Sequence, residues 1–176
     1  LDWSRFLERP KWLVGFSDVT VFHSFLSRRN IASVHGVMTS FFEKDGVPTG
    51  SFLQTLDLLR GKMPEYALAP HGLNVSGSAE GILTGGNLSI LQSLRGTPLD
   101  VVPEGRILFI EDINEYHYHL DRMLQNLKAG GVLDRIAGLI VGHFTKMKDG
   151  TAPYGMDSQE IIREAVAGYG YPVVFG

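Results

Sequence analysis

The chain has 176 residues, 44% of them hydrophobic, and a formal net charge of −3 at pH 7, which suits a soluble globular chain holding one cored domain or parts of two. There is no basic excess to hold nucleic acid or an anionic membrane, and no apolar run reaches the ~20 residues that span a bilayer. The absence of cysteine excludes disulfide and thiolate chemistry and leaves any zinc site to histidine and carboxylates.

The sequence begins at Leu1 and ends at Phe175-Gly176 directly after an apolar run, so it reads as an internal fragment. Asp2 to Arg9 predicts a short helix stopped by Pro10, and residues 11–15 a buried strand. Residues 18–29 predict a helix with Val19, Phe22, Phe25 and Leu26 on one face, and Ile31 to Val37 a second strand. Asp45 to Gly50 is a turn-rich break. Residues 51–60 predict a helix with Gly61 at its C-cap. Pro64 to Ser78 mixes proline, glycine, asparagine and serine with alternating apolar residues, which predicts edge strands and a domain boundary near 60–70.

Beyond it, Glu80 to Thr84 predicts a strand entering Gly85-Gly86-Asn87, then a helix from Leu88 to Arg95 closed by Gly96. Arg106 to Ile110 predicts a strand ending in Glu111-Asp112, and Leu120, Met123, Leu124 and Leu127 mark a helix ended by Gly130-Gly131. Ile136 to Phe144 is a further strand. Asp157 to Glu160 has the form of a capping box opening a last helix, and Pro172 to Phe175 begins another strand. Strands alternating with helices predict an α/β architecture with largely parallel pairing.

Chemistry concentrates at two strand ends. In Lys11 to Thr20 a short apolar run meets Gly15, Ser17 follows two residues later, and a helix begins. Such a corner lifts a hydroxyl out of the backbone where free N–H groups favour an oxyanion, as in the nucleophile elbow of serine hydrolases; Val19 stands where the second glycine of that motif would be. The alternative is a plain helix cap. Glu111 ends a strongly apolar strand, where ligands and catalytic groups gather in open α/β sheets. It either orients a base or, with Asp112, caps the next helix or pairs with Arg122. Gly85-Gly86-Asn87 either cradles an anion or places Asn87 as a helix N-cap.

Of six histidines, His35 in Val34-His35-Gly36 is expected to line the cleft near the serine corner. His143 is a strand-end candidate for a base. His117 and His119 could share a metal on a strand but diverge on the helix the pattern predicts; no metal and no cofactor is expected.

Ordered along the chain, Pro10 to Thr20 (P-K-W-L-V-G-F-S-D-V-T), Val34-His35-Gly36, Leu83 to Leu91 (L-T-G-G-N-L-S-I-L), Gly96-Thr97-Pro98, Gly105 to Asp112 (G-R-I-L-F-I-E-D), Asp121-Arg122-Met123-Leu124 and Gly138 to Phe144 resemble the LD-carboxypeptidase family. That family includes muramoyl-tetrapeptide carboxypeptidases and microcin C self-immunity peptidases. The resemblance implies a serine peptidase with a Ser–Glu–His triad: Ser17 as nucleophile, Glu111 as the carboxylate orienting the histidine, and the Asp18 backbone N–H as one oxyanion donor. His35 and Asn87 are substrate-binding candidates. The family histidine follows a P-V-x-x-G strand in a Gly-His pair, which places it beyond residue 176, and the family's N-terminal segment is absent too, so His143 is not assigned to the triad.

The resemblance also implies the tail of an N-terminal flavodoxin-like α/β domain (1–60), a linker (61–69), and most of a C-terminal swivelling β/β/α-type domain (70–176) carrying the triad glutamate. It implies release of terminal D-alanine from murein tetrapeptide in peptidoglycan recycling, a cytoplasmic setting and a homodimer. A microcin C-type self-immunity peptidase, a catalytically incomplete binding module, or a metal-dependent hydrolase are the competing readings. The strands at both cut ends are expected to lack neighbours and to leave apolar surface that another copy covers.

Overall fold

The computed structural model describes residues 2–176. Helix α1 (Ser4–Glu8) lies against α2 (Thr20–Ser27) through an aromatic cluster in which the Trp3 ring sits 4.8 Å from Phe25 and 5.6 Å from Phe22. Between these helices runs β1 (Val14–Gly15), paired in parallel with β2 (Val34–His35). Both strands are shorter than the apolar runs 11–15 and 31–37 predict; Trp12 stays 53% exposed. The break at 45–50 is largely a hairpin turn, with β3 (Glu43–Lys44) and β4 (Val47–Pro48) antiparallel across Asp45-Gly46. Helix α3 (Gly50–Leu59) starts on Thr49, whose hydroxyl accepts the Phe52 N–H at 3.2 Å, and buries none of its residues.

Residues 60–82 hold neither helix nor strand. The edge strands expected over 64–78 reduce to one antiparallel bridge between Val75 and Val173. Pro64 and Pro70 lack the N–H a ladder needs, and Gly72 and Gly77 weaken what remains.

The remainder is a four-stranded parallel sheet in the order β5-β6-β7-β8, formed by β5 (Leu83–Asn87), β6 (Ile107–Ile113), β7 (Gly138–Thr145) and β8 (Val173–Phe175). Each crossover contains a helix: α4 (Leu88–Ser93), α5 (His117–Ala129) and α6 (Ser158–Ala165). Leu108 and Ile110 of β6, Leu139 and Val141 of β7, and Val173 and Phe175 of β8 join Leu120, Met123, Leu124 and Leu127 of α5 and Ile161, Ile162 and Ala165 of α6 in one core. The alternate residues Ile107, Phe109 and Glu111 are only half-buried. Helix α6 opens on the expected capping box: the Asp157 carboxylate accepts the Glu160 N–H and the Glu160 carboxylate accepts the Asp157 N–H, both at 2.9 Å.

One expectation about edges is corrected. The outer edge of β8 is not bare: Val75 exchanges both backbone hydrogen bonds with Val173, and the Asn74 side chain accepts the Phe175 N–H at 2.9 Å. At the other end, Trp12, Val14, Val37, Met38 and Phe52 line an apolar groove of about 640 Å³. Among the described residues no helix is long and apolar enough to cross a membrane.

The location of the core sets a testable order of sensitivities. Leu108 is fully buried, so Leu108→Ala is expected to cost about 2–5 kcal/mol in urea unfolding. Asp157→Ala, which removes only the cap of α6, is expected to cost about 1 kcal/mol.

Candidate active site

Ser17 opens a single 3-10 turn (Ser17–Val19) between β1 and α2, with a φ of 57°. A left-handed backbone at a non-glycine residue is strained by roughly 1–3 kcal/mol and persists only where the surroundings hold it. Two features hold it here. A Cβ on Gly15 would lie 2.8 Å from a Val19 methyl, so the glycine before the serine makes room for the valine at the position where the elbow motif has its second glycine. The end of β1 is also pinned by a buried imidazole: His23 Nε2 lies 2.9 Å from the Gly15 carbonyl and Nδ1 2.8 Å from the Ser33 hydroxyl. A carbonyl only accepts, so the neutral ring carries its proton on Nε2 and accepts a hydrogen bond from the Ser33 hydroxyl on Nδ1. Burial holds His23 below its ordinary pKa, against the opposing pull of the Gly15 carbonyl.

The corner packs against β5, and β5 is where the sequence expectation shifts most. The strand is not Glu80 to Thr84; it runs through Gly85-Gly86-Asn87. A Cβ on Gly85 would lie 1.9 Å from the Phe109 carbonyl oxygen, and one on Gly86 would lie 2.5 Å from Thr20 Oγ1. The glycines are therefore strand residues approached closely from both sides, and no loop forms there to cradle an anion. Asn87 is 5% exposed, and its side chain is spent inside the protein. Its Oδ1 accepts the Ser89 hydroxyl at 2.7 Å and the Ile90 N–H at 3.2 Å, capping α4, while Nδ2 donates to Asp112 Oδ1 at 2.9 Å. This is the cap role.

Asn87 is the register partner of Glu111 on β6. Strand β6 continues past its expected end, with a bulge: Ile110 pairs with Val141 but Asp112 with Phe144, so Gly142 and His143 together oppose Glu111. Bulges re-aim side chains beside functional sites. A Cβ on Gly142 would lie 2.8 Å from the Phe109 ring and 3.3 Å from the Glu111 Cβ, so the missing side chain clears the space Glu111 occupies. Glu111 Oε1 is buried without a hydrogen-bond partner among the described residues. Burial, then the negative charge of Asp112, pushes Glu111 up to about 7, with the Asn87 amide pulling the other way. Asp112 is 3% exposed; it accepts the Ser89 N–H at 2.8 Å and its own neighbour's N–H from Ile113 at 2.8 Å. It thus holds the start of α4, the helix before its strand, and Arg122 stacks over Tyr118. Burial raises Asp112 as well, against those hydrogen bonds.

Thr20, three residues after Ser17, thus meets Gly86 and Asn87 at the end of β5, and Asn87 stands opposite Glu111 on β6. His35 lies beside them: it pairs in register with Gly15, and its ring meets Phe109 edge-on at 5.0 Å. Crowding by its neighbours and then the His23 charge hold its ring below the usual range, although the residue as a whole is exposed. The other imidazoles are elsewhere. His71 stacks on Phe175. His117 and His119, on α5, each face a separate carboxylate, Asp149 at 2.8 Å and Glu115 at 2.5 Å. His143 lines a cavity of about 270 Å³ with Asp157 and Ser158 at the start of α6. Thr20, His23 and Gly142 went unrecognised in the sequence. Thr20, His23 and Ser24 are polar residues on the buried face of α2, and that placement is the signal that could have found them.

Residues 80–176 match the family profile described as the LD-carboxypeptidase C-terminal domain, and residues 1–36 that of the LD-carboxypeptidase N-terminal domain. A probable murein peptide carboxypeptidase of Bacillus subtilis is 33% identical over all of this chain and 56% of its own length. The crystal structure of a muramoyltetrapeptide carboxypeptidase from Oxalobacter formigenes superposes with a TM-score of 0.86 at 31% identity, over all of this chain and 60% of that one. A structure of the microcin self-immunity protein MccF with glutamyl sulfamoyl guanosine shares the fold, with a TM-score of 0.83 at 21% identity over all of this chain and 61% of that one. The chain spans little more than half the length of these relatives.

Because Glu111 is raised from 4.5 to about 7, the folded state binds its proton more tightly than the unfolded chain does. Wild-type stability therefore falls as pH rises through that window. Glu111→Gln is expected to be more stable than wild type near about pH 8 and to lose that advantage near about pH 4, in denaturant titrations at both. Parallel pH dependence of the two proteins would contradict a desolvated carboxyl.

Proposed function

The chain belongs to the LD-carboxypeptidase family, and on that footing we propose that the protein is a serine-type LD-carboxypeptidase. Its substrate is murein tetrapeptide, from which it releases the terminal D-alanine in peptidoglycan recycling. Two observations support this reading: a serine on a left-handed strand-to-helix corner, and a buried Glu111 carboxylate oxygen with no hydrogen-bond partner among the described residues, on the strand paired with β5. A buried acceptor without a donor is costly, and an imidazole N–H is the donor a triad supplies. The names of the relatives from Bacillus subtilis and Oxalobacter formigenes supply the substrate class.

In this mechanism Ser17 Oγ attacks the carbonyl carbon of the penultimate residue while its proton passes to an imidazole from outside residues 1–176. Glu111 holds that imidazole in the tautomer that accepts the proton and stabilises the cation formed. The Asp18 N–H, in the first turn after the corner, donates to the oxyanion, a contribution of about 3 kcal/mol per donor in comparable sites. The tetrahedral intermediate then expels D-alanine, whose amine takes the proton from the imidazolium, and water frees the acyl group from Ser17 by the reverse proton path. His35, exposed beside the corner, is the substrate contact in this scheme, and Asn87 supports it from within. The division into residues 1–60, a linker at 61–69 and residues 70–176, the homodimer and the cytoplasmic setting belong to the same proposal.

The test is D-alanine release from murein tetrapeptide by the full-length protein. Ser17→Ala is expected to lower kcat by about 10⁴-fold or more with the fold intact by circular dichroism. Undiminished turnover would overturn the assignment. Faster cleavage of an aminoacyl-nucleotide conjugate than of the tetrapeptide would move the protein to the self-immunity branch.

A further inference from the structure

Two buried polar residues on different elements and a buried carboxylate form one continuous hydrogen-bonded line through the site. Thr20, fully buried three residues after Ser17, accepts the Asn87 N–H on Oγ1 at 3.0 Å. The Asn87 side chain donates to Asp112 Oδ1 at 2.9 Å. Asp112 is covalently next to Glu111 and is fixed from its other oxygen by the Ser89 N–H at 2.8 Å. The line therefore starts on the helix that carries the serine corner, crosses β5, and ends on the strand that carries the acid.

We propose that Thr20, Asn87 and Asp112 are positioning residues: they form a buried seam that sets the separation of Ser17 and Glu111. The inference rests on the Ser17–Glu111 reading above. Three observations carry it. The seam is buried along its length, so water does not substitute for a lost partner, and a broken link leaves a desolvated group rather than a resolvated one. Gly86 is bare where any side chain would push Thr20 away: a Cβ there would lie 2.5 Å from Thr20 Oγ1. The seam leaves one Glu111 oxygen open: the Asn87 amide lies close enough to lower the acid, yet Oε1 stays unpartnered among the described residues, available to a reacting group. The neighbours of Glu111 are Asp112 on its own strand, Asn87 on β5, and Gly142 and His143 opposite it on β7; after burial, Asp112 is the charge that raises it.

Misplacement of reacting groups by about 1 Å costs on the order of 10²-fold in rate. In the full-length protein, Thr20→Val keeps the shape of the side chain and removes the acceptor. It is expected to lower kcat on murein tetrapeptide by about 10²-fold while KM stays within about twofold. Thr20→Ser, which restores the hydroxyl, is expected to recover kcat to within about threefold of wild type. A second readout needs no substrate: in a carboxyl-carbon NMR titration, the Glu111 midpoint falls toward the ordinary range in Thr20→Val, as water reaches the loosened strand end, and returns in Thr20→Ser. A kcat loss that only follows the loss of folded protein, or an unchanged Glu111 midpoint, overturns the seam as a positioning device. If wild type releases no D-alanine, the carboxypeptidase reading falls and the titration alone decides the seam. If Thr20→Val fails to fold, Thr20→Ala, which removes the acceptor at a residue with an ordinary helical backbone, is read in the same two ways.

Discussion

The site depends on how closely α2 approaches β5, and that approach is set by the absence of a side chain. With any Cβ on Gly86, Thr20 would have to withdraw, and with it the helix that begins at the serine corner. At the preceding residue the same strand is pressed by its neighbour in the sheet, where the Phe109 carbonyl occupies the space a Gly85 side chain would need. Two consecutive glycines in a strand interior lose cross-strand packing and conformational entropy. What they permit is the close approach of α2, the helix that follows the Ser17 corner, to β5, the strand paired with the one that carries Glu111. The sheet register then does the rest, because Asn87, the residue after the glycines, stands opposite Glu111.

The same few residues concentrate what a stable fold avoids. Ser17 holds a left-handed backbone, Glu111 buries an oxygen without a donor, and Asp112 buries a carboxylate beside it. The first two each cost roughly 1–3 kcal/mol, comparable to the gain from burying one leucine side chain, about 1.5–3 kcal/mol. The cost is sustained a short distance away: the core shared by β6, β7, β8, α5 and α6 buries Leu108, Leu120, Leu124, Leu127 and Leu139 almost completely. The segment around the corner, residues 2–36, has no such reserve, since Leu26 and Val34 are the buried apolar side chains there. The corner is thus held by specific contacts, His23 on the Gly15 carbonyl and Thr20 on β5, and a polar network is more sensitive than a greasy core to the loss of one member.

Much of this was legible in the sequence, for reasons that are local. The capping box at Asp157, the helix stop at Gly61, the period of α5 and the serine corner each rest on residues within one or two turns of each other. The acid at the end of an apolar strand was legible because strand ends collect function in parallel sheets. What was not legible is what depends on distant partners. Glu80 to Ile82 have the composition of a strand but join the sheet only at its margin, where the Ile82 carbonyl accepts the Ile107 N–H at 3.1 Å, while Gly85-Gly86 have the composition of a loop and pair fully with Phe109 and Ile110. Residues 64–78 alternate like a strand yet find one bridge. Asn87 looked like a ligand contact because its type suits one; the structure shows that capping α4 and holding Asp112 use its amide.

The valine at position 19 shows how a motif can be missing while its physics is present. In a nucleophile elbow the flanking glycines relieve crowding where the chain turns sharply from strand to helix. The crowding is one steric problem between the residue two before and the residue two after the serine, and either can yield. Here Gly15 yields: a Cβ there would meet the Val19 methyls at 2.8 and 3.1 Å. Val19 is then free to be large, and it fills the space above Gly15 that two glycines would leave open. The corner is therefore recognised by the space around one serine, and a pattern that demands both glycines overlooks it.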